Sequence, residues 1–553
     1  MSASKQKFRD ALARVCQELD VDLPAKLVIE APKDAKFGDL STNMAMLLAR
    51  GMGKKPRDLA LDICGRLPRV CPEISSADAA GPGFINVVFK PRLWHGAILA
   101  AEEAGDAYGR TDSGRGRRAL VEYVSANPTG PLHVGHGRGA AIGDSVARIL
   151  QAAGYEVDTE YYLNDAGRQM RILGQSIWLR MQEELGRQVK FPEDCYQGGY
   201  IRDLARELLA GQPDLAGMGE EEATSICQSF GMKEILRGIK KDLDSFHCRQ
   251  DRYASEADLV SGGAVEAVLA YLAEKGKTWE EDGALWLNTT EAGDDRDRVL
   301  RKSDGRLTYL ASDIAYHHDK FKRGYDWLID VWGADHHGYI PRMRAAIGHM
   351  GHDPGKFSVV LVQLVNLLRR GQVVAMSTRA GQFETLRDVL SEVGSDAARF
   401  IFLSRSSDSP LDFDLELARE RSMDNPVYYV QYAHARVCAL MRRAGERGLK
   451  MPDKMEGIDD LAPLDKAEEL AIMRRMETFP DVVDEAARDL APHYIARYLR
   501  DLSGVIHAYY ARCKILDEED RSGSVARLAL LRVAAQVIKN GLHLLGVSAP
   551  EVM

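Results

Sequence analysis

The stretch that decides the fold is Ser125-Ala126-Asn127-Pro128-Thr129-Gly130-Pro131-Leu132-His133-Val134-Gly135-His136. It follows an apolar run at 119–124, which is typical of a strand, and it precedes a helix-like run that lasts to about residue 153. The two prolines prevent regular structure between them. The sequence therefore predicts a strand, a turn and a helix N-terminus. The first amides of such a helix, with the positive end of its dipole, are expected to form an anion site.

His133 and His136 lie three residues apart, so both side chains project from one face of the first helical turn. Gly135 between them allows a flat ring to approach the backbone. We interpret the stretch as a nucleotide-binding turn. Two other interpretations fit the same residues: the histidines cap the helix, or Gly135, Gly137 and Ala140 form a relaxed dinucleotide-binding fingerprint. The fingerprint leaves the histidines unexplained.

Strand and helix patterns alternate around this turn. Strands are predicted at 119–124, 156–163, 326–333 and 357–362, and helices at 132–153 and 166–185. Such alternation is typical of a parallel sheet with crossover helices, and nucleotides bind beyond the carboxyl ends of its strands. We interpret the stretch from about 186 to 300, which is largely helical and charged, as an insertion that splits the sheet domain.

The two ends of the chain have different patterns. Residues 1–115 mix helices (8–19, 41–50 and 56–67) with strands (26–30 and 81–89) and end in a glycine-rich linker. Beyond residue 425 the chain consists of amphipathic helical runs at 427–444, 464–489, 491–514 and 524–545, which is typical of a bundle.

The predicted fold is therefore a multidomain α/β protein. Its parts are an N-terminal α+β domain (1–115), a split Rossmann-type catalytic domain with a parallel sheet (116–385), a connecting helical segment (386–424) and a C-terminal all-α helix bundle (425–553).

Composition sets limits on the function. Of the 553 residues, 45% are hydrophobic and 28% charged, as in an ordinary soluble protein. No apolar run is long enough to cross a membrane, and the first residues lack the apolar core of a signal peptide, so we expect a cytoplasmic protein.

The eight cysteines are scattered, so we expect no structural zinc. The net charge of −9 argues mildly against nucleic acid, although local basic patches can suffice.

The signature from Ala126 to His136 resembles the first signature of class I aminoacyl-tRNA synthetases, in the extended form found in arginyl-tRNA synthetases. Further segments resemble other parts of that family, in the family's order. They are Tyr161-Tyr-Leu-Asn-Asp-Ala-Gly-Arg-Gln169, Thr308-Tyr-Leu-Ala-Ser-Asp313, Gly333-Ala-Asp-His-His337 and Ala380-Gly-Gln-Phe-Glu-Thr-Leu-Arg387.

The resemblance implies an activity. ATP and L-arginine would form arginyl-adenylate and pyrophosphate, and the arginyl group would then pass to the 3′ end of an arginine tRNA. Mg²⁺ would accompany the ATP, and His133 and His136 would be catalytic and, with Gly135, bind ATP. The residues implied to bind the arginine substrate are Asn127, Tyr309, Asp313 and His336.

For two of these residues, the spacing in the sequence also predicts a role in binding. Tyr309 and Asp313 are four residues apart, so they would share a helix face, and a carboxylate beside an aromatic ring suits a guanidinium group. Asp313 alone could also be a helix cap.

The resemblance also implies the partners. The N-terminal domain would bind the tRNA elbow and the bundle would bind the anticodon, while DNA and membranes are not expected and a monomer is. Tyrosines of the bundle could stack on bases, although core packing is the commoner role for any one of them. They are Tyr428, Tyr429, Tyr432, Tyr509 and Tyr510.

One segment departs from the class pattern. Class I enzymes carry Lys-Met-Ser-Lys-Ser in a mobile loop whose second lysine meets the leaving pyrophosphate, and this chain has Ala375-Met376-Ser377-Thr378-Arg379. Met376 and Ser377 match, both lysine positions differ, and Arg379 is the nearest cation that could bind ATP and act in catalysis in place of the lost lysine. The same departure leaves an alternative open, a paralogue that binds tRNA without activating an amino acid.

Overall fold

The N-terminal part of the chain is built on a four-stranded antiparallel sheet. The computed structural model describes residues 1–32, 34–374 and 384–553. The elements of this part are α1 (Ala3–Glu18), β1 (Ile29–Glu30), β2 (Leu40–Thr42), α2 (Met44–Leu48), α3 (Pro56–Val70), β3 (Ile74–Ala80), β4 (Phe84–Phe89) and α4 (Pro91–Ala104). The strand order is β1-β2-β4-β3. The helix predicted over 41–50 is wrong in its first turn, because the three residues of β2 are buried and pair with β4.

The middle of the chain supplies the central sheet and the segments inserted in it. Its elements are β5 (Arg118–Glu122), α5 (Val134–Ala152), β6 (Glu156–Leu163), α6 (Arg168–Glu184), α7 (Gly199–Gly211), α8 (Glu220–Ser245), β7 (Arg252–Ser255), α9 (Glu256–Ser261), α10 (Ala264–Glu274), β8 (Thr278–Glu281), β9 (Ala284–Leu287), β10 (Arg298–Arg301), α11 (Tyr309–Lys322), β11 (Trp327–Gly333), α12 (Ile340–His349) and β12 (Phe357–Val362).

The central sheet has the strand order β12-β11-β5-β6-β7, and all four pairings are parallel. The carboxyl ends of its strands therefore lie at one edge, with the signature turn among them. β7 comes from within the stretch 186–300 that was interpreted as an insertion, yet it pairs with β6 from Glu160↔Arg252 to Leu163↔Ser255. A four-residue strand between helices leaves too short a pattern to detect in the sequence.

The connecting segment and the bundle complete the chain. Their elements are β13 (Val365–Arg369), β14 (Gln372–Val373), α13 (Leu386–Val393), α14 (Ser395–Phe402), β15 (Leu411–Asp414), α15 (Leu415–Arg419), α16 (Pro426–Glu446), α17 (Ala467–Glu477), α18 (Phe479–Arg488), α19 (His493–Arg512) and α20 (Arg521–Leu544). The connecting segment, predicted to be helical, also contains β15, which pairs in parallel with β13.

The bundle confirms the helical prediction for the end of the chain, with one break. The run 464–489 forms two helices that meet at Thr478, where Pro480 in the first turn of α18 has no N–H to continue the preceding helix. Among the described residues, no helix has the length and apolar character needed to cross a membrane. The structure thus has the predicted fold class, with an α+β part, a parallel-sheet part and a helix bundle.

The N-terminal unit packs against the bundle through polar contacts with α17 and with the segment that precedes this helix. The Ser4 N–H and hydroxyl both donate to the buried carboxylate of Glu477, at 2.6 and 2.9 Å. Arg474 forms an ion pair with Asp39 at 2.7 Å, and the His95 ring lies 2.8 Å from the Leu464 carbonyl oxygen. These contacts join the first and last parts of the chain.

Arg399 on α14 joins three other elements. Its guanidinium is fully buried and donates to the carbonyl oxygens of Leu545 (2.7 Å) and Phe246 (2.8 Å), the residues that directly follow α20 and α8 as their C-caps. It also forms an ion pair with Asp144 on α5. One buried cation therefore links the signature helix, the inserted helices and the bundle.

Replacing Arg399 with methionine should destabilise the protein strongly. The change leaves the buried Asp144 carboxylate with less compensation and removes the donors to two helix ends, a loss of about 3 to 5 kcal/mol for a broken buried pair. Urea unfolding followed by circular dichroism measures it. The control is Arg249→Met, because the Arg249 side chain is 83% exposed and forms a surface ion pair with Asp244. Equal unfolding midpoints for the two variants would contradict the linking role of Arg399.

Candidate active site

The signature turn ends in a cap made by its own histidines. His133 is the N-cap of α5, and its Nδ1 accepts hydrogen bonds from the N–H groups of Gly135 (3.1 Å) and His136 (3.4 Å). In return, the Nδ1 of His136 accepts from the N–H of His133 at 3.3 Å. This reciprocal arrangement is a capping box in which both partners are histidines.

The two rings are stacked on one face of the helix. Their centroids are 3.6 Å apart and their planes differ by 20°. Because each Nδ1 accepts a backbone N–H, the neutral form of each ring carries its proton on Nε2. Each Nε2–H is then a hydrogen-bond donor of the kind that a phosphate oxygen accepts.

Both histidines are held neutral. Burial lowers the pKa of His133, and burial together with the neighbouring His133 lowers the pKa of His136 to about 3. At neutral pH the pair therefore offers hydrogen-bond donors without positive charge. The capping and nucleotide-binding interpretations are compatible, because the cap uses the Nδ1 atom of each ring and a nucleotide would be bound through Nε2.

One expectation about the turn is wrong. The amides of Gly135 and His136 were expected to contribute to an anion site, but both bond to the His133 ring. The glycine at 135 does admit a flat ring, since a Cβ there would lie 3.0 Å from the His133 Cε1. The ring that it admits is that of His133 itself, because the chain folds back to close the cap.

Asn127 lies at the exposed start of the signature. Its neighbour Ala126 is buried, and the Ala126 carbonyl accepts a hydrogen bond of 2.7 Å from the Tyr161 hydroxyl on β6. The described residues provide no hydrogen bond to the Asn127 amide. Its side chain is thus available at the carboxyl edge of the sheet.

Asp313 on α11 faces the segment after β11. Its Oδ2 accepts a hydrogen bond of 2.5 Å from the hydroxyl of Tyr339, a residue that the sequence analysis missed. Burial raises the pKa of the Asp313 carboxyl, and the Tyr339 hydrogen bond only partly opposes this. Asp313 is therefore not the cap of α11, which begins at Tyr309 after Thr308.

Two more carboxylates, those of Glu256 and Asp165, form one group of acidic side chains with Asp313. The sequence analysis missed both. Glu256, the first residue of α9, is only 6% exposed, and its Oε2 has no hydrogen-bond partner among the described residues. Burial and the charges of Asp313 and Asp165 raise its pKa, although a hydrogen bond from Ser312 opposes them. Asp165 accepts from the Ser255 hydroxyl at 2.7 Å.

These three carboxylates, Asp313, Glu256 and Asp165, are called the acidic pocket below. In the part of the chain that the structure describes, none of the three forms an ion pair with a lysine or an arginine. Burial disfavours the charged form of Asp313 and Glu256, and carboxylates that are desolvated without a paired lysine or arginine favour a cationic ligand. A signal in the sequence existed only for Asp165, which lies in the segment 161–169.

Tyr309 and His336 are close in the sequence to Asp313 and Tyr339, respectively, but neither is hydrogen-bonded to Asp313 in the described part of the chain. Tyr309 is 61% exposed, and the His336 side chain is equally exposed. No hydrogen bond from either residue to Asp313 is present among the described residues. Tyr309 lies on the same helix as Asp313, as the i, i+4 spacing predicted, but it is the first residue of that helix and its side chain is exposed.

Met376, Ser377 and Arg379 lie outside the described residues, as do Ala375 and Thr378. The chain that follows them is anchored at the signature. Thr385 forms an isolated β-bridge with His133, and the Leu386 N–H donates to the Leu132 carbonyl oxygen at 2.7 Å.

Similarity to known proteins bears on this site. The family description "tRNA synthetases class I (R), catalytic domain" matches residues 98–408, more than half of the chain. "Arginyl tRNA synthetase N terminal domain" matches residues 3–89, and "DALR anticodon binding domain" matches residues 430–553. The chain belongs to the arginyl-tRNA synthetase family.

Relatives in this family are similar over the whole length. The chain is 58% identical over 548 residues to an Arginine--tRNA ligase of Desulfovibrio desulfuricans, with 99% of each chain covered. It is 49% identical over 550 residues to one of Lawsonia intracellularis, with 100% of each chain covered. Class I synthetases use ATP, generally with Mg²⁺.

Solved structures of the family have the same architecture. A putative arginyl-tRNA synthetase of Campylobacter jejuni aligns with a TM-score of 0.76 at 36% identity, covering 84% of this chain and 100% of that one. The arginyl-tRNA synthetase of Thermus thermophilus aligns with a TM-score of 0.76 at 24% identity, covering 99% and 100%, and supports the fold alone. Among the described residues, no group of three or more His, Cys, Asp or Glu side chains could hold a metal ion.

In this member of the family, the histidine pair should not titrate near neutral pH. With histidine labelled by ¹⁵N, the Nδ1 and Nε2 resonances of His136 should stay those of the Nε2–H tautomer from pH 8 down to pH 5, because its pKa is lowered to about 3. In urea the same residue should regain an ordinary pKa of about 6.5. A midpoint near 6.5 in the folded protein would contradict the buried, capped arrangement.

Proposed function

We propose that this chain is an arginine–tRNA ligase, which activates L-arginine with ATP and transfers it to arginine tRNA. The observation that carries the proposal is the acidic pocket at the sheet edge where the histidine pair lies, since its carboxylates form no ion pair with any lysine or arginine that the structure describes. Arginine carries a guanidinium and an ammonium group, so its charge complements such a pocket. Full-length similarity to Arginine--tRNA ligases at 49 to 58% identity supports the same activity.

The chemistry needs alignment more than covalent participation. A carboxylate oxygen of arginine attacks the α-phosphorus of ATP, the bond to the β-phosphate oxygen breaks, and pyrophosphate leaves with the electron pair. A hydroxyl of the terminal ribose of the tRNA then attacks the arginyl carbonyl carbon and AMP leaves. The protein holds the reactants in line and stabilises the charge that spreads over the phosphoryl oxygens.

We assign the nucleotide to the signature turn. The Nε2–H groups of His133 and His136 would donate to phosphate oxygens of ATP, and Gly135 lets the turn close beside them. Arg379 would supply the cation for the leaving pyrophosphate, with Met376 and Ser377 in the same loop. The β-bridge between Thr385 and His133 supports this, because Thr385 follows Arg379 by only six residues in the sequence. Mg²⁺ would arrive with ATP as part of the substrate.

We assign the amino acid to the acidic pocket. Asp313 would bind the guanidinium, with Glu256 as a second carboxylate and Tyr339 holding Asp313 in place. Tyr309 and His336 would close over the substrate from their exposed positions, and Asn127 would bind its ammonium or carboxylate group. The pocket thus selects a side chain that is both planar and cationic.

We assign the tRNA to both ends of the chain, 1–115 and 425–553, and retain the predicted boundaries 116–385 and 386–424 between them. On the bundle, the Arg436 guanidinium lies 4.5 Å from the Tyr432 ring centroid and 4.6 Å from that of Tyr510. Tyr428 stacks on Tyr432 at 5.6 Å. These half-buried rings would stack on unpaired bases.

Tyr509 does not join the stacking surface. It is fully buried and donates to the Glu469 carboxylate at 2.9 Å, so its predicted alternative role in core packing applies. A monomer acting in the cytoplasm remains our expectation.

The inactive paralogue is the less favoured alternative. It rests on the two missing lysines of the loop 375–379. A chain that bound tRNA without activating arginine would have no use for a buried acidic pocket.

Exchange of pyrophosphate into ATP tests the function. We expect exchange with L-arginine and with no other standard amino acid, measured with and without arginine tRNA. The variant Arg379→Ala should lower kcat about a hundredfold to a thousandfold, the loss expected for one such electrostatic contact.

The control for that variant is Arg370→Ala, an exposed cation in the turn before the same loop, which should leave kcat unchanged. Equal rates for Arg379→Ala and wild type would remove Arg379 from catalysis. No exchange with arginine in either condition would favour the paralogue.

The acidic pocket makes its own prediction. Asp313→Asn and Glu256→Gln should each raise the KM for arginine at least tenfold, because a buried cation loses a charged partner, and the KM for ATP should stay the same. In wild type, the KM for arginine should also rise as the pH falls, because the two carboxylates become protonated and lose their charge. Since the pKa of each carboxyl is raised, this rise should begin at a higher pH than it would for an ordinary carboxyl group.

Steady-state kinetics from pH 5 to pH 8 measures these changes. The control is Glu266→Gln, whose exposed carboxylate pairs with Arg301 outside the pocket. An unchanged KM for arginine in Asp313→Asn would exclude Asp313 from substrate binding.

A further inference from the structure

Two consecutive residues just before the signature have a strained backbone. Val124 has a φ of 71° and Ser125 a φ of 40°. Positive φ is unfavourable for any side chain and most of all for a β-branched one, at a cost of about 1 to 3 kcal/mol for each residue. Elsewhere in the described part of the chain, non-glycine residues with positive φ occur singly. Val124–Ser125 is called the strained turn below.

Neighbouring groups hold the strained turn in place. The Ser125 hydroxyl donates to the Oε1 of Glu122 at 2.8 Å, and it accepts from the Tyr162 N–H at 3.0 Å. The first contact ties the turn to the last residue of β5, and the second ties it to β6. A strained conformation persists only when its surroundings determine it in this way.

Glu122 is in turn held by Lys320 on α11. The Lys320 ammonium is fully buried and bonds to the Oε2 of Glu122 and, at 2.9 Å, to the Oδ1 of Asp330 on β11. The other carboxylate oxygen of Asp330 lies 2.9 Å from the Nε2 of His317. These contacts form a continuous buried chain from α11 to the strained turn.

The same helix carries Asp313. Lys320 follows it by seven residues, and the Nδ1 of His317 lies 2.8 Å from the Asp313 carbonyl oxygen. The buried chain therefore spans the two halves of the proposed site. One half is the acidic pocket on the α11 side, and the other is the signature, which begins directly after Ser125.

We infer that Lys320 is a positioning residue for amino-acid activation: through Glu122 it holds the strained turn, and so sets Asn127 and the histidine pair against Asp313. This inference rests on the proposed function of the site. Lys320 itself is buried away from any substrate. Its effect is on the alignment of the reacting groups, where a displacement of about 1 Å can cost a hundredfold in rate.

A double-mutant cycle between Lys320→Met and Ser125→Ala tests the inference. Each change should lower the kcat of arginine activation about tenfold to a hundredfold, with dissociation constants for arginine and ATP within threefold of wild type. The two effects should not add, because removal of the Ser125 hydroxyl already breaks the path from Lys320 to the turn. Additive effects, or a lower melting temperature with unchanged kcat, would overturn it.

The control is Arg323→Met, at the residue that directly follows α11. Arg323 pairs with the buried Glu160 carboxylate at 2.7 Å, but this pair has no hydrogen bond to the Ser125 hydroxyl. Its effect on kcat should add to that of Ser125→Ala. If Lys320→Met does not fold, Glu122→Gln takes its place in the cycle, since it keeps the side-chain volume and weakens the same link, with the same expected and overturning results.

A second measurement does not depend on the proposed function. Hydrogen exchange read by mass spectrometry, without substrates, should be faster for the peptide spanning 124–136 in Lys320→Met and Ser125→Ala, and unchanged there in Arg323→Met. Unchanged exchange in the first two variants would overturn the positioning role. A wild type that fails to activate arginine but shows this exchange pattern would instead refute the proposed function.

Discussion

Three carboxylates lie buried on neighbouring strands of the central sheet, and each of them pairs with a cation on α11 or directly after it. Glu122, Glu160 and Asp330 are at most 7% exposed, and they stand on β5, β6 and β11. Lys320 of α11 binds Glu122 and Asp330, and Arg323, which directly follows that helix, binds Glu160. Buried carboxylates are tolerated only when they are paired, so α11 has one position across the sheet that satisfies all three.

This constraint explains why the site is at the sheet edge. Burial by itself would lower the pKa of Lys320, but the two carboxylates beside it raise the pKa above its ordinary value, so the cation stays charged. With α11 locked by its later turns, its first turns place Asp313 beyond the strand ends. Glu256 after β7 and Asp165 after β6 arrive at the same edge because their strands are parallel.

The outer parts of the molecule depend on similar buried polar links. Arg399 joins the signature helix to the ends of α8 and α20, and Glu477 receives the first turn of α1. A tRNA that touched the bundle and the N-terminal unit would bind two parts already joined to each other. The net charge of −9 then matters less than the local surface that such a joined frame presents.

The sequence by itself determined the fold class and the signature turn. Strand and helix periods are local, and prolines act on their own backbone, so the order of β5, α5, β6 and α6 could be read directly. The signature also named the histidine pair as a candidate, and the segment 308–313 named Asp313. The catalytic and binding roles of these residues remain predictions. The strand β7 was missed because four residues carry too little pattern.

Only the tertiary structure decided what surrounds those candidates. Glu256, Tyr339 and Lys320 come from segments far apart in the chain, and no local pattern distinguishes a carboxylate that meets Asp313 from one at the surface. The N–H groups of Gly135 and His136 donate to the His133 ring, which makes them unavailable for an anion. These hydrogen bonds depend on the orientation of that ring, which residue spacing does not specify. Pairings across the sheet are set by burial and charge compensation among distant residues, so they follow from the folded structure and not from the order of residues alone.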